Sequence, residues 1–325
     1  QPTAQSLLEA LLESRAEAVA LHYVGHGYHP KGVPLWLPKA LAGWKSATGG
    51  RLVTFFHELF AVAPPWRLTA YFAPVAIVLL RRLAALSDGC ATNCELYARQ
   101  LRIYGGWPTA PVAIPVGSNV PASPCPRPWL EGSLPHRGFR VAVFGSYGSR
   151  VLALRQHGPL LVRMRAEGLL GSLTLVGREG AGEDLELARA VCQPQTRFDA
   201  TEEEVALELG SAHLCPTHAD ADRLGKSGVL AAACANGAVP IVSASSRAKG
   251  PFVANPPKWP RQTMETLTDP ERLAAVRRAV AEHARRSSWP AIVQAWSALA
   301  EGASTREEST AERGQAPEET GSLQR

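Results

Sequence analysis

Apolar positions along the first part of the chain follow two alternating patterns, one helical and one extended. In residues 6–17 four leucines share the three-four spacing of an amphipathic helix. Residues 18–24 then form a short continuous apolar run, which predicts a buried strand. Residues 35–48 repeat the helical spacing, and residues 51–56 repeat the apolar run. Helices that alternate with fully apolar strands predict a parallel sheet covered on both faces.

The same alternation continues through the rest of the chain. The spacing predicts helices at 76–87, from 93–95 onward, at 152–167, 185–191 and 201–209, and one or two long helices after Asp269 with a break at Trp289-Pro290. It predicts strands at 89–92, 111–116, 139–144, 171–176, 196–199, 212–215 and 239–242. The fold class predicted is therefore α/β, with two doubly wound Rossmann-like units and C-terminal helices.

A proline-rich segment without periodicity separates the two units. We assign residues 1–120 to a first domain, 121–136 to the linker and 137–268 to a second domain. Residues 269–300 form the C-terminal helices. Residues 301–325 are polar and nearly free of apolar side chains, so we expect a disordered tail.

The stretch from Arg223 to Ser243 carries the clearest chemical pattern. A polar, glycine-containing loop with Lys226 leads into a helix of small residues, 229–235, and then into an apolar strand. A helix N-terminus with free N–H groups and one cation favours an anion, most often a phosphate. The alternative is a closely packed α/β unit whose loop binds nothing.

Polar residues also follow other predicted strands, where functional groups of open α/β sheets collect. His57-Glu58 follow the second strand, and the alternative for His57 is a structural cap. The glycine-rich turn that begins with Gly25 and His26 follows the first strand. The loop from Gly145 to Arg150 offers hydroxyls and one cation for a phosphate, although an ordinary βα turn explains it equally well.

Several common motifs are missing. The Gly145 loop is not a Gly-x-Gly-x-x-Gly fingerprint, and Lys226-Ser227-Gly228 is not a Walker loop. Neither a Gly-x-Ser-x-Gly elbow nor a His-Glu-x-x-His motif occurs, which leaves serine hydrolase and zinc protease chemistry without support. Asp220 and Asp222 could act as paired carboxylates or metal ligands, but a solvated loop is the commoner explanation.

Composition narrows the choice of partners. The net charge of +5 is dispersed, which gives weak support for a phosphorylated or membrane-surface partner and none for nucleic acid as the main partner. The six cysteines are scattered, as expected of reduced, buried thiols in a cytoplasmic protein. The longest apolar run, 68–80, contains Pro74 and is too short to span a bilayer.

Six segments resemble a known enzyme family in their order and spacing. They are His22-Tyr-Val-Gly25, Arg51-Leu-Val-Thr-Phe-Phe-His-Glu58, Asp88-Gly-Cys-Ala-Thr-Asn-Cys-Glu95, Pro115-Val-Gly-Ser-Asn119, Val143-Phe-Gly145, and Lys226-Ser-Gly with the Ala-Asn-Gly-Ala-Val-Pro-Ile-Val run that ends at Val242. Together they resemble a GT-B glycosyltransferase of the retaining group 1, or family-four, type over residues 18–299.

The resemblance implies a hexosyltransferase, retaining and metal-independent, with a nucleotide-sugar held mainly by the second domain. The acceptor, a saccharide or a lipid-linked saccharide of cell-envelope polysaccharide or glycolipid assembly, would lie mainly on the first domain. No cofactor is implied, because the nucleotide-sugar is a substrate. In such an enzyme the nucleoside diphosphate is the leaving group, and cations with helix N–H groups stabilise its charge.

Site residues follow by matching positions to the family's motifs. His57 and Glu58 match the catalytic strand end, and Gly25 and His26 match the acceptor loop. The remaining matches hold the donor: Gly145, Ser146, Tyr147 and Arg150 over its phosphates, and Lys226, Ser227 and Gly228 beneath them.

The chain departs from the family at three places. The family's paired glutamates around the 229–235 helix are missing, with Ala231-Ala232-Ala233 in place of the second. The loop after Phe144 lacks the usual Arg…Lys-Gly pair. No strand with its glycine loop precedes Ser6, which suggests a fragment lacking the first βα unit of its domain.

Two other functions remain open. A non-catalytic GT-B-like protein that binds a sugar nucleotide or a partner enzyme is the main alternative, motivated by the missing glutamates. A GT-B epimerase or phosphorylase ranks lower. For the helix at 68–86, with its neighbouring arginines, burial against the first sheet is expected, and docking on the inner membrane surface is the alternative.

Overall fold

The computed structural model describes residues 3–59, 72–108, 111–124, 135, 137–243, 253–255 and 260–302. Most of the proline-rich linker, residues 68–71 of the possible membrane helix and nearly all of the polar tail therefore lie outside the described residues. The described part contains two separate parallel sheets, one of four strands and one of six. The predicted α/β class is confirmed.

The first sheet is built from strands in sequence order. Its strands are β1 Ala18–Tyr23, β2 Arg51–Phe56, β3 Gly89–Thr92 and β4 Val112–Ala113, all parallel and in the order β1-β2-β3-β4. Its helices are α1 Ala4–Glu13, α2 Gly25–Tyr28, α3 Leu37–Thr48, α4 Ala73–Leu86 and α5 Glu95–Gly105. Right-handed crossovers that all advance in one direction place their helices on the same face.

One core of the first unit lies between those helices and one face of the sheet. Trp44 of α3, Leu79 and Leu83 of α4, and Phe56 of β2 are completely buried there. Burial of Leu79, Leu80, Leu83 and Ala84 confirms that the C-terminal half of α4 packs on the sheet, while Val75 and Val78 remain exposed. No helix of the described residues is long and apolar enough to cross a membrane.

The second sheet is doubly wound. Its strands are β5 Phe139–Phe144, β6 Leu170–Gly177, β7 Gln195–Phe198, β8 Leu214–Asp220, β9 Val239–Ser243 and β10 Val253–Asn255, parallel and in the order β10-β9-β8-β5-β6-β7. Its helices are α6 Tyr147–Ala166, α7 Glu183–Arg189, α8 Glu202–Ser211, a 3₁₀ helix Ala221–Lys226, α9 Gly228–Ala235, α10 Pro260–Thr268 and α11 Pro270–Arg286. The strand order reverses at β5, where open α/β sheets bind ligands.

Several element boundaries differ from the predictions. Helix α6 begins at Tyr147 instead of 152, because Ser146 caps it by accepting a hydrogen bond from the N–H of Ser149. Strand β8 continues to Asp220, β4 shortens to two residues, and β10 and α10 were not predicted. The N-cap of α5 is Cys94. Thr201 and Glu204 form a capping box at the start of α8.

A last helix, α12 Trp289–Glu301, returns from the second unit to the first sheet. Its Ile292, Trp296 and Leu299 pack against Phe55 of β2 and its neighbours in β3 and β4, on the face opposite α3, α4 and α5. The Trp289 indole N–H also donates to the Ser118 carbonyl oxygen at 2.8 Å. The predicted break at Trp289-Pro290 is confirmed, and α12 covers the second face of the first sheet.

Candidate functional site

The carboxyl ends of the two sheets meet across a short stretch of direct backbone contact. The N–H of Val116, just after β4, donates to the Gly225 carbonyl oxygen at 2.8 Å. A Cβ at Gly225 would overlap the Asn93 carbonyl oxygen at the end of β3, so glycine is required for this approach. The loop that contains Lys226 is therefore held against the strand ends of the first sheet.

Glu58 and Lys226 form the ionic contact between the two units. Lys226 Nζ lies 2.7 Å from Glu58 Oε1, and both side chains are about one third exposed. The same ammonium lies 5.7 Å from the ring centroid of Tyr97, and the Arg223 guanidinium lies 5.9 Å from it. The residues predicted for catalysis and for phosphate binding thus lie together, and in this state each neutralises the other.

His57 forms a hydrogen-bonded pair with His22 of β1. His22 pairs in register with Phe55, two positions before His57, and His57 Nε2 lies 2.9 Å from His22 Nδ1. Asn93 Nδ2 holds the His57 backbone by donating to its carbonyl oxygen at 3.3 Å. Burial, with smaller effects of His22 and Lys226, holds the pKa of His57 below its usual value, and Glu58 opposes this shift. His57 is consequently neutral at pH 7 and can accept a proton.

Aromatic side chains surround the histidine pair. Phe55 lies 4.5 Å from His57 and 5.3 Å from Trp296 between ring centroids, and Trp296 lies 5.2 Å from His22. Trp296 reaches this position because α12 packs on the first sheet. The last described helix therefore contributes to the wall of the candidate site.

Two helix N-termini lie next to each other at the carboxyl end of the second sheet. Ser146 caps α6, and Ser227 caps α9 by accepting from the Leu230 N–H at 3.1 Å. Gly145, with φ of 131°, joins them, because a Cβ there would lie 3.0 Å from Val229 Cγ2. Gly228, the first residue of α9, is exposed. Adjacent N-termini with free N–H groups favour an anion at this edge of the sheet.

Arg150 is a correction to the predicted phosphate contacts. Its side chain is completely buried, and its Nε donates to Oδ2 of Asp184 at 2.7 Å, which is itself buried. The two terminal guanidinium nitrogens donate to the carbonyl oxygens of Gly145 at 2.8 Å and Arg178 at 2.7 Å. Since α6 begins one turn earlier than predicted, Arg150 points into the core and holds the Gly145 turn in place.

The other predicted residues of the two loops have structural surroundings. The Tyr147 ring packs on Gly180, where any side chain would overlap it. Gly25 is buried at the start of α2. The His26 ring packs over Gly32, and its Nδ1 lies 3.1 Å from the Pro30 carbonyl oxygen. The structure places Gly25 and His26 after β1, and their acceptor role stays a prediction.

The run at residues 231–233, where the family's second glutamate is missing, lies inside the protein. Ala231, Ala232 and Ala233 are all buried in the core of the second unit, so no ligand-facing carboxylate fits at these positions.

Among the described residues no group of three histidines, cysteines or acidic residues could hold a metal ion, and this includes Asp220 and Asp222.

His22 and Trp296 are site residues that the sequence analysis did not single out. Alternation along β1 could have indicated His22, because its neighbours Leu21 and Tyr23 are buried on the opposite face. Nothing local to residues 289–301 indicates that Trp296 reaches the first sheet.

Comparisons with known proteins support the fold. No protein-family model matches the chain, and no curated protein matches it. The UDP-forming α,α-trehalose-phosphate synthase of Burkholderia xenovorans is 13% identical, with a TM-score of 0.57 covering 92% of this chain and 77% of that one. The sucrose-phosphate synthase of Thermosynechococcus elongatus is 15% identical, with a TM-score of 0.55 covering 91% and 77%.

A third solved structure is Anabaena HepE in complex with UDP and glucose. It is 14% identical, with a TM-score of 0.50 covering 90% of this chain and 80% of that one. At such low identity these similarities establish the fold alone. The chain has the two-unit, Rossmann-like GT-B fold that the sequence resemblance implies.

Proposed function

We propose that this protein is a glycosyltransferase that moves a sugar from a nucleotide-sugar donor to an acceptor in the cleft between the two sheets. The observation that carries the proposal is the meeting of the α6 and α9 N-termini, with Lys226 between them and the Glu58 strand end. A donor diphosphate on these N–H groups would direct its sugar toward the histidine pair.

The proposed chemistry uses groups already at the cleft. Breaking the anomeric C–O bond leaves negative charge on the diphosphate, which Lys226 and the two helix N-termini stabilise. These groups supply the charge stabilisation without a metal ion, so we propose a metal-independent transfer. The resemblance of the sequence to retaining GT-B enzymes is the reason to propose a hexosyl transfer with retained configuration. Full activity in EDTA and an α-linked product from an α-linked donor, read by NMR, are the expected results.

The donor proposed first is a UDP-hexose. Two structural neighbours support this choice: one is described as UDP-forming and another was solved with UDP and glucose. Isothermal titration calorimetry with UDP-, GDP- and ADP-sugars, together with detection of released nucleoside diphosphate, tests the assignment on the full chain. Absence of binding by every donor would contradict the proposed function.

Replacing Lys226 with alanine tests the phosphate site directly. We expect donor affinity to fall about tenfold or more, since a charge-assisted hydrogen bond contributes roughly 1.5–3 kcal/mol. Lys39→Ala, which removes an exposed lysine of α3, is the matched control and should leave affinity unchanged. Unchanged affinity of the Lys226→Ala variant would remove this residue from the site.

The acceptor is proposed to be a saccharide, free or lipid-linked, in envelope polysaccharide or glycolipid assembly on the cytoplasmic side of the membrane. Exposed Val75, Val78 and Ile103 lie on the packed helices α4 and α5, beside exposed Arg82 and Arg102. Exposed aliphatic and basic side chains together favour peripheral contact with anionic lipid. This surface is the reason to include lipid-linked acceptors in an activity screen.

A non-catalytic sugar-nucleotide-binding protein is the second candidate. The fully buried Ala231–Ala233 run favours it, because a carboxylate that would bind sugar or ribose hydroxyls has no place there. Donor binding without release of nucleoside diphosphate, across saccharide and lipid-linked acceptors, would support this candidate over the enzyme.

A further inference from the structure

The His22 and His57 rings are in direct contact, although the register of β1 and β2 pairs His22 with Phe55. Their rings lie at 5.2 Å between centroids, with the Nδ1 of one 2.9 Å from the Nε2 of the other. A bond of this length between two imidazoles needs one N–H donor and one bare nitrogen, so exactly one proton lies between the rings. His57 Nδ1 and His22 Nε2 have no hydrogen-bond partner among the described residues.

The two rings differ in their access to water. His57 is half-buried between Phe55 and the strand ends, whereas His22 is exposed at the rim of the cleft. The chain of atoms therefore runs from Nδ1 of the half-buried His57 ring, through the shared proton, to Nε2 of the exposed His22 ring. A proton taken up by the half-buried ring can leave to water from the exposed one.

We propose that His22 and His57 form a proton relay that carries the acceptor hydroxyl proton out of the cleft. The proposal rests on the proposed glycosyl transfer. His57 would contact the acceptor, and His22 is a positioning residue that fixes the tautomer of His57 and receives its proton.

The relay step balances without another reagent. The acceptor hydroxyl, on the face of the sugar from which the diphosphate leaves, gives its proton to His57 Nδ1, and its oxygen bonds to the anomeric carbon with the configuration retained. The anomeric bond to phosphate breaks, and its electron pair leaves with the diphosphate. The Nε2 proton of His57 passes to His22 Nδ1, and the Nε2 proton of His22 passes to water. Exchange with solvent then restores both tautomers.

Burial is the main cause that lowers the pKa of His57, and the neighbouring charges modify it. Lys226 from the second unit repels a proton on His57, while Glu58 beside it attracts one. Phe55 and Trp296 add no charge from β2 and α12. When a donor diphosphate draws Lys226 away from Glu58, the uncompensated carboxylate favours protonation of His57 at the moment the proton is released.

Nitrogen-15 NMR of the histidine side chains in the full chain tests the pair without any substrate. His22→Gln keeps a hydrogen-bonding side chain but cannot carry a proton, and we expect the His57 titration midpoint to move to higher pH in this variant. His29→Gln, a change in the loop after α2, is the control and should leave the midpoint in place. An unchanged midpoint in His22→Gln would show that the rings are not coupled and would overturn the proposal.

Transfer kinetics test the proton step itself. General acid–base catalysis contributes about 10²–10⁴-fold, so we expect kcat of His22→Gln to fall at least tenfold with little change in donor KM, and the deficit to shrink at alkaline pH. An equal decrease of kcat at every pH would mean that His22 has only a structural role, and it would overturn the relay. If the wild-type protein transfers no sugar but His22→Gln still shifts the His57 titration midpoint, the proposed function is contradicted. The interaction between the two histidines is then still supported.

Discussion

At the scale of single residues, the Glu58–Lys226 pair decides how a donor can bind. The proposed diphosphate needs the Lys226 ammonium, which is already paired with the Glu58 carboxylate. The Lys226 Nζ to Glu58 Oε1 distance is 2.7 Å, and both side chains are partly exposed. Partly exposed ion pairs contribute little net stability, typically about 0–1 kcal/mol. A diphosphate with two charges can therefore displace Glu58 at small cost, and the pair sets donor affinity more than it sets stability.

Glu58→Gln should raise donor affinity several-fold. The substitution removes both the competitor for Lys226 and a negative charge next to the incoming diphosphate, a change of about 1 kcal/mol. Calorimetry with the nucleoside diphosphate alone measures this without any catalytic step. The Glu58→Gln, Lys226→Ala double variant is the control, because the gain should vanish when the lysine is absent. If Glu58→Gln binds the nucleoside diphosphate as weakly as wild type or more weakly, Glu58 does not compete with the diphosphate for Lys226.

The sequence indicated candidate residues where their position followed from the end of a strand or the start of a helix. His57 and Glu58 follow β2, Lys226 precedes α9, and the structure brings Glu58 and Lys226 into contact. Arg150 was misplaced because its role depends on Asp184, 34 positions away in the chain. A hydrogen-bond partner that distant cannot be read from local spacing.

At the scale of elements, the first turn of α6 explains how the phosphate edge of the second sheet is held. The Arg150 guanidinium joins the Gly145 turn, the end of β6 and Asp184 of α7 inside the core. Gly177 packs so closely on the Gly145 carbonyl that a side chain there would overlap it. The turn is thus fixed from beneath, which leaves the Ser146 end of the helix free to face a ligand.

Arg150→Met should lower stability sharply, while Arg155→Met on the same helix should not. Removing one partner of a buried pair leaves Asp184 uncompensated, at a cost of about 3–5 kcal/mol. Arg155 pairs with Glu183 on the surface, where a change of about 0.5 kcal/mol or less is expected. Urea unfolding of both variants measures the difference. Similar losses for the two would show that Arg150 does not carry a buried charge pair.

A buried histidine of the same helix gives α6 a sensitivity to acid. His157 has no exposed side-chain surface, lies 2.9 Å from the Thr217 carbonyl oxygen of β8, and has its pKa lowered to about 4 by burial. The folded state therefore disfavours the proton that the unfolded chain accepts near pH 6.5. The contribution of neutral His157 to the free energy of unfolding is fully present above that pH and is lost as the pH falls toward 4.

Replacing His157 with glutamine should flatten this acid dependence. The interval from the ordinary pKa to about 4 corresponds to about 3 kcal/mol at 1.36 kcal/mol per pH unit. Urea unfolding of wild type and variant at pH 7, 6, 5 and 4.5 gives the slope. His29→Gln, a partly exposed position, should keep the wild-type slope. A variant that loses stability between pH 6.5 and 4 as steeply as wild type would exclude His157 as the source.

Element boundaries were predictable where a cap or a glycine marks them. Strands β2, β3 and β5 have the predicted ends, and Thr201 begins α8 as its capping box indicates. Strand β4 was overestimated because only Val112 and Ala113 pair with β3, although the apolar run is longer. Pairing with a neighbouring strand, and not the apolar run alone, decides where such a strand ends.

At the scale of the whole molecule, α12 ties the C-terminal end of the described chain to the first sheet. The first sheet runs in sequence order, so its crossover helices cover one face and leave the other open. Ile292, Trp296 and Leu299 close that face, and the same packing brings Trp296 to His22. The local pattern of α12 is that of any amphipathic helix, so its target could not be predicted from the sequence.

Ile292→Ala should therefore weaken the first sheet selectively. Ile292 is 7% exposed and packs on Phe55, Ala91 and Ile114, so truncation leaves a cavity that costs about 2–5 kcal/mol. Hydrogen exchange should accelerate in β2 and β3, while β5 and β8 of the second sheet keep their protection, because only the first sheet packs on this side chain.

Its neighbour Val293 provides the matched control. Val293 is 59% exposed on the same helix, and Val293→Ala should leave exchange in both sheets unchanged. Accelerated exchange in both sheets of Ile292→Ala would mean that the two units unfold together, and no acceleration would mean that α12 does not stabilise the first sheet. Selective loss in β2 and β3 would show that the histidine pair depends on a helix that follows the second unit in the chain.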